Sequence, residues 1–164
     1  MKTLVICVLF SIVLVIACGK SAQEEAVEKQ IEKATGAQAD VDISKKGMKI
    51  TGESEGGKYT VSTGEETELP KDFPEDIFIY RPSKTIMAMK MAEGYSIALT
   101  TGDDRSKVLS AYREEMKARG WSNETSMSMG TQSVLVYEKD DRAANINIVP
   151  SDKGVQINVT VTAK

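Results

Sequence analysis

The chain has 164 residues, a formal net charge of −3 and a pI near 5.2, enough for one ordinary domain or one domain with a small extension. The charge balance leaves no basic excess to neutralise nucleic-acid phosphates or to form a polybasic membrane patch. There is no histidine, and the two cysteines, Cys7 and Cys18, both lie near the N-terminus; this removes a disulfide framework, ordinary zinc sites and His- or thiolate-based catalysis from the body of the chain.

Lys2 precedes an uncharged, mostly apolar run from Leu4 to Ala17. A bilayer-spanning helix needs about 20 such residues, so this shorter run behind a basic residue reads as the core of a signal peptide. It ends in Val15-Ile16-Ala17-Cys18. That string resembles a lipobox: a branched aliphatic residue, a small residue, then cysteine. The resemblance implies transfer of a diacylglycerol to the Cys18 sulfur and cleavage after Ala17. Two or more acyl chains anchor stably where one binds only marginally. Gly19 follows the cysteine, without the Asp that resembles an inner-membrane retention signal, which points to the outer membrane in a source that has one.

Residues 20–35 carry a narrow apolar stripe of Ala26, Val27, Ile31 and Ala34, with Glu25 and Lys29 at i, i+4 and Gly36 at the expected stop, which predicts a short amphipathic helix. From Asp40 the period changes to two. Val41 and Ile43, Met48 and Ile50, and Tyr59 and Val61 alternate with polar residues around turn signals at Lys45-Lys46-Gly47 and 52–57, predicting a three-stranded meander. Residues 64–82 are acidic, then punctuated by Pro70, Pro74 and Pro82, and read as an extended linker with Phe73, Ile77, Ile79 and Tyr80 as docking points. Strands are predicted at 85–91 and 95–101. A helix follows, capped by Asp103 or Asp104, with Val108, Leu109, Tyr112 and Met116 on its apolar face and a stop at Gly120-Trp121. Four strands complete the chain, the last alternating strictly through Val155, Ile157, Val159 and Val161.

The expected fold class is α+β: an antiparallel sheet with one helix packed on one face, in the order ββαββββ, preceded by a short amphipathic helix and a small three-stranded meander. The expected organisation is a signal peptide (1–17), a lipid-anchored helical tether (18–36), the meander (37–63), the linker (64–84) and a main domain (85–164). The segment from Leu69 to Tyr80, the helix ending in Gly120-Trp121 and the Thr-Gly stop after Ile31 together resemble uncharacterised bacterial lipoproteins. The resemblance implies no known activity and carries over no functional residues.

The sharpest chemical candidate is a methionine set: Met87, Met89 and Met91 on one face of a strand, Met127 and Met129 on one face of another. Thioethers are soft ligands that select Cu(I), and the same set could line a pocket for an apolar ligand. The competing reading is core packing, with the methionines facing Tyr112 and Met116 of the helix and Lys90 on the opposite face, and it is the stronger of the two. The acid pairs Asp40/Asp42, Asp103/Asp104 and Asp140/Asp141 each have a local role on an outward face, at a helix cap or in a turn. There is no Gly-x-Ser-x-Gly elbow, Ser-x-x-Lys signature or phosphate loop. The expectation is therefore a membrane-anchored lipoprotein of the bacterial cell envelope. It is expected to be a non-enzymatic binding or interaction module without cofactor or assigned metal, partnered by the membrane and an envelope protein, with soft-metal or apolar-ligand binding as the alternative.

Overall fold

The computed structural model describes residues 20–54, 56–65 and 67–163. The signal segment, Ala17 and Cys18 lie outside the described residues. Helix α1 (Lys20–Thr35) leads into strands β1 (Ala39–Ser44), β2 (Gly47–Ser54) and β3 (Gly57–Gly64). After the proline-punctuated segment come β4 (Lys84–Met91), β5 (Gly94–Thr101), helix α2 (Arg105–Ala118), β6 (Ser122–Met129), β7 (Gln132–Lys139), β8 (Arg142–Ser151) and β9 (Gly154–Ala163).

All nine strands form one antiparallel sheet in the order β1-β2-β3-β4-β5-β9-β8-β7-β6. This corrects the expected fold class. There is no separate meander set before a smaller ββαββββ unit, because β3 pairs with β4 through Thr60↔Lys90, Val61↔Met89, Ser62↔Ala88 and Thr63↔Met87. Joining the meander's open edge to β4 removes two exposed edges at once.

The pairing sets up a reversal of polarity across the sheet. Paired residues share a face. One cross-sheet row reads Asp42, Lys49, Ser62, Ala88, Ile97, Val159, Ile146, Leu135: polar over β1–β3, apolar from β4 onward. On the other face a row reads Ile43, Met48, Thr63, Met87, Ala98, Asn158, Asn147, Val134: largely apolar at the β1 side and polar at the centre of β9 and β8. The two helices accordingly pack on opposite faces. Val27 and Ile31 of α1 cover Val41 and Ile50. Val108, Tyr112 and Met116 of α2 cover Ile97, Leu99, Leu135, Ile146, Ile148, Ile157 and Val159, all fully buried.

Helix α2 starts where the Asp104 carboxylate accepts the Lys107 N–H at 2.9 Å. It stops at Gly120, whose φ of +80° suits glycine; the Trp121 N–H reaches the Met116 carbonyl at 3.0 Å and the Gly120 N–H reaches Lys117 at 3.0 Å, the paired bonds of a Schellman motif.

Helix α1 also finishes the sheet edge. The two-residue turn after Ser44 makes Ser44 and Asp42 hydrogen-bonded partners of β2, so the Val41 and Ile43 amides point away from the sheet. The Val41 N–H donates to Glu28 Oε1 and the Ile43 N–H to Glu24 Oε1, each at 3.0 Å. Four helical residues rise about 6 Å and two strand residues about 6.8 Å, so the spacings match closely enough for both bonds. Replacing both glutamates, E24A/E28A, should deprotect the Val41 and Ile43 amides in hydrogen exchange and lower stability by about 1 kcal/mol per carboxylate; unchanged protection would show that the caps contribute nothing.

Candidate functional site

The interface between α2 and the sheet is packed with buried side chains, and an open concavity lies outside it. On the α2 side of the sheet, the polar half of the face over β1–β4 is left open by α2. Residues 67–72 run along it and turn it into a groove of about 580 Å³. Asp42, Lys49, Thr60, Ser62, Ala88 and Lys90 form part of the floor, and Thr67, Glu68, Leu69, Pro70, Lys71 and Asp72 form the wall.

The wall is held from several sides. Lys90 forms an ion pair with Asp72. The Tyr95 hydroxyl donates to the Asp72 carbonyl at 3.0 Å, and the Phe73 ring meets Tyr95 edge-on at 5.5 Å. The Lys90 ammonium, hydrogen-bonded to Asp72, holds that carboxyl below its usual range, and Asp72 raises Lys90 in return. Leu69 packs against the main core, and Ile77 and Tyr80 are buried in it, so the segment read as a linker is fastened down on the sheet.

The strongest fastening is Asp76. Arg142 engages it with two bonds, at 2.9 and 2.7 Å, Lys139 adds a third at 2.8 Å, and the Trp121 indole N–H donates to the Asp76 carbonyl at 3.0 Å. The Arg142 guanidinium stacks over the Trp121 ring, 5.1 Å from its centroid. Arg142 first, then Lys139, hold the Asp76 carboxyl down to about 2 against the opposing effect of its burial. Sequence reasoning missed this cluster, and nothing in the local pattern signals it, since its partners lie 63 and 66 residues away.

The structure overturns the expected direction of the methionines. Met87 and Met89 pair with Ala98 and Ser96, on the face away from α2, while Ala88 pairs with Ile97 and faces the helix side together with Lys90. They do not pack on Tyr112 and Met116. Met91, opposite Gly94, keeps the same face. Met127 pairs with Val134 and lies in the same cross-sheet row as Met87, at the far end; Met129 pairs with Gln132 on the same strand as Met127. Five strand spacings separate β4 from β6, on the order of 24 Å, so the set does not converge. Of the acid pairs, Asp42 lines the groove, Asp104 caps α2, Asp103 accepts from the Tyr80 hydroxyl at 2.7 Å, and Asp140 and Asp141 make the β7–β8 turn. Among the described residues, no group of three or more acids, histidines or cysteines is arranged to hold a metal ion.

The groove and the α2-covered core meet at β4, and the comparisons with known proteins begin at that strand. Residues 84–156 match the START domain-like family. The match takes in β4 through β8, including α2, and covers under half of the chain. It supports a ligand-binding module. No curated protein and no solved structure matches the chain at a significant level. In this START-like segment, Lys90 and Ala88 belong to the groove floor; α1, β1–β3 and the wall lie before it.

Two outcomes test this account. The Asp76 carboxyl has a folded value depressed from 3.8 to about 2, so its contribution is full above pH 4 and is lost as pH falls through about 2. With its side chain 27% exposed, it should contribute about 2 kcal/mol at most. Asp76→Asn should lower stability near neutral pH by that order and flatten acid unfolding between pH 4 and 2; a parallel acid profile would remove Asp76 from the clamp. In an anaerobic titration against a weak Cu(I) chelator, the protein should take no copper from the chelator, because the set is split between two strands. Transfer of one equivalent, abolished by Met87→Leu, would restore the metal reading.

Proposed function

We propose that the chain is a non-enzymatic binding module of the bacterial cell envelope, tethered to the membrane through a lipid on Cys18, which takes a polar ligand in the groove between residues 67–72 and strands β1–β4. The observation that carries the reading is the groove itself. Its floor is a set of paired strands and its wall is fastened by Asp72, Phe73 and Asp76, so it exists before any ligand arrives and needs little ordering on binding. Its lining is mostly hydroxyl and charged: Thr60, Ser62 and Thr67 stand beside Lys49, Lys71, Asp42 and Glu68. Such a surface recognises hydrogen-bonding groups, sugar hydroxyls or a peptide of an envelope partner among them, and offers little to a purely apolar ligand. The START-like match supports ligand binding.

Three features of the sequence support the tether: the lipobox-like Val15-Ile16-Ala17-Cys18, the short apolar run before it and the polar chain after it. Among the described residues, no helix is long and apolar enough to cross a membrane. Gly19 favours the outer membrane in a source that has one.

Cells labelled with radioactive palmitate should yield a labelled chain in the membrane fraction, and Cys18→Ser should abolish the label; a labelled C18S chain would refute the tether. A photo-crosslinking residue at Ser62, in the groove floor, should give an adduct in intact cells that the same residue at Thr160, on the opposite face, does not. Equal adducts from both positions would remove the groove from the reading.

A further inference from the structure

The two edges of the sheet are finished differently. At β1 the outward amides of Val41 and Ile43 are taken by Glu28 and Glu24. At the other edge β6 pairs only with β7. The two-residue turn Gly130-Thr131 makes Met129↔Gln132 a hydrogen-bonded pair. Met127 and Thr125 therefore also turn their backbone groups toward β7, and Ser126 and Ser128 point theirs outward. Among the described residues no hydrogen bond is made to those outward backbone groups; on the α2 face Arg113 donates to the Ser126 Oγ at 2.7 Å and Arg105 to the Gly130 carbonyl at 3.4 Å. The strip from Thr125 to Thr131 holds neither a charged residue nor a proline, the devices that ordinarily protect an edge; the one irregularity lies before it, between Asn123 and Thr125.

Two further observations say what fits there. Ser126-Met127-Ser128 reads the same in both directions. Met127 is 50% exposed and is the large apolar side chain left in solvent among the described residues. A two-fold contact brings the same patch of both copies together and so requires it to be self-complementary. We infer that β6 pairs antiparallel with β6 of a second copy of this chain, about a two-fold axis through Met127. In that register each Ser126 faces Ser128 of the second copy, and their outward amides and carbonyls complete four backbone hydrogen bonds. Met127 faces itself at a non-hydrogen-bonded position, where the side chains are closest and each thioether covers the other. The nearest acid on the strand, Glu124, falls opposite Gly130, so no charged residue of one strand faces its like on the other. The two sheets become continuous. The contact is short beside a standard interface of about 1,600 Å², so the dimer is weak and concentration-dependent. It depends neither on the groove nor on the tether.

The test uses the full chain in mild detergent, with Cys7→Ser and Cys18→Ser so that one introduced thiol is the sole cysteine. Met127→Cys should form a disulfide dimer under mild oxidation on the order of tenfold faster than Lys45→Cys, which sits in the exposed β1–β2 turn, because the paired register holds the thiols at bonding distance. Adding Ser126→Pro and Ser128→Pro removes the outward donors without touching the β7 ladder, and should bring the rate down to that of Lys45→Cys. In sedimentation equilibrium the unsubstituted full chain should show a monomer–dimer equilibrium that Met127→Lys, at an exposed position, shifts to monomer. A Met127→Cys rate no faster than that of Lys45→Cys, or a dimer indifferent to Met127→Lys, would overturn the inference.

Discussion

The register between β3 and β4 is the constraint on which the rest of the molecule depends. It joins three strands whose apolar residues lie on one face to six whose apolar residues lie mainly on the other. Each half then needs its own cover, and the chain supplies α1 for the first and α2 with the proline-punctuated segment for the second. The pleat has a period of two, so a slip of one residue at this junction would bring both apolar sets onto one face and abolish the reversal. The reversal also produces the groove. Where β1–β3 present their polar side beneath the edge of the second layer, a hydroxyl- and lysine-lined floor is left next to a packed wall.

That wall stands because a carboxylate and two cations are pinned between elements distant in sequence. Asp76 lies in a segment with little regular structure of its own, and its backbone and side chain are held by three groups around the end of α2 and the β7–β8 hairpin. Partial burial strengthens each of these bonds, and the aromatic plane of Trp121 orients the guanidinium that makes two of them. The same residues that stop α2 therefore also locate the segment crossing the sheet. Tyr80, with its hydroxyl on Asp103, holds the far end of that segment against the start of the helix.

Local elements were legible in the sequence because their signals are local. Asp104 and Gly120 bracket a helix whose apolar residues recur at helical spacing, and Val155 to Val161 alternate without a break. Alternation, however, gives a strand two faces without saying which is buried. On β4 the larger apolar residues are methionines and the position facing α2 is the small Ala88, so hydrophobicity pointed the strand the wrong way. The joining of β3 to β4 across residues 65–83 is a long-range choice that no turn signal announces. The groove follows from that choice: alternation places Asp42 outward and Lys90 across from the methionines, but no local signal puts the two in one concavity. Asp76 looked like any acid in a polar stretch.

The glutamate caps on β1 have a mechanical consequence. Glu28 meets Val41 and Glu24 meets Ile43, so α1 runs antiparallel to the strand it covers. A pull on the N-terminal end of α1 along its axis loads both bonds at once, in shear, together with the contacts of Val27 and Ile31. A pull at right angles would break the bonds one after another, as a zipper opens. A sheet loaded through the N-terminal end of α1 is thus gripped most firmly when tension runs along that helix, and the direction of load, more than its size, sets when β1 is laid bare.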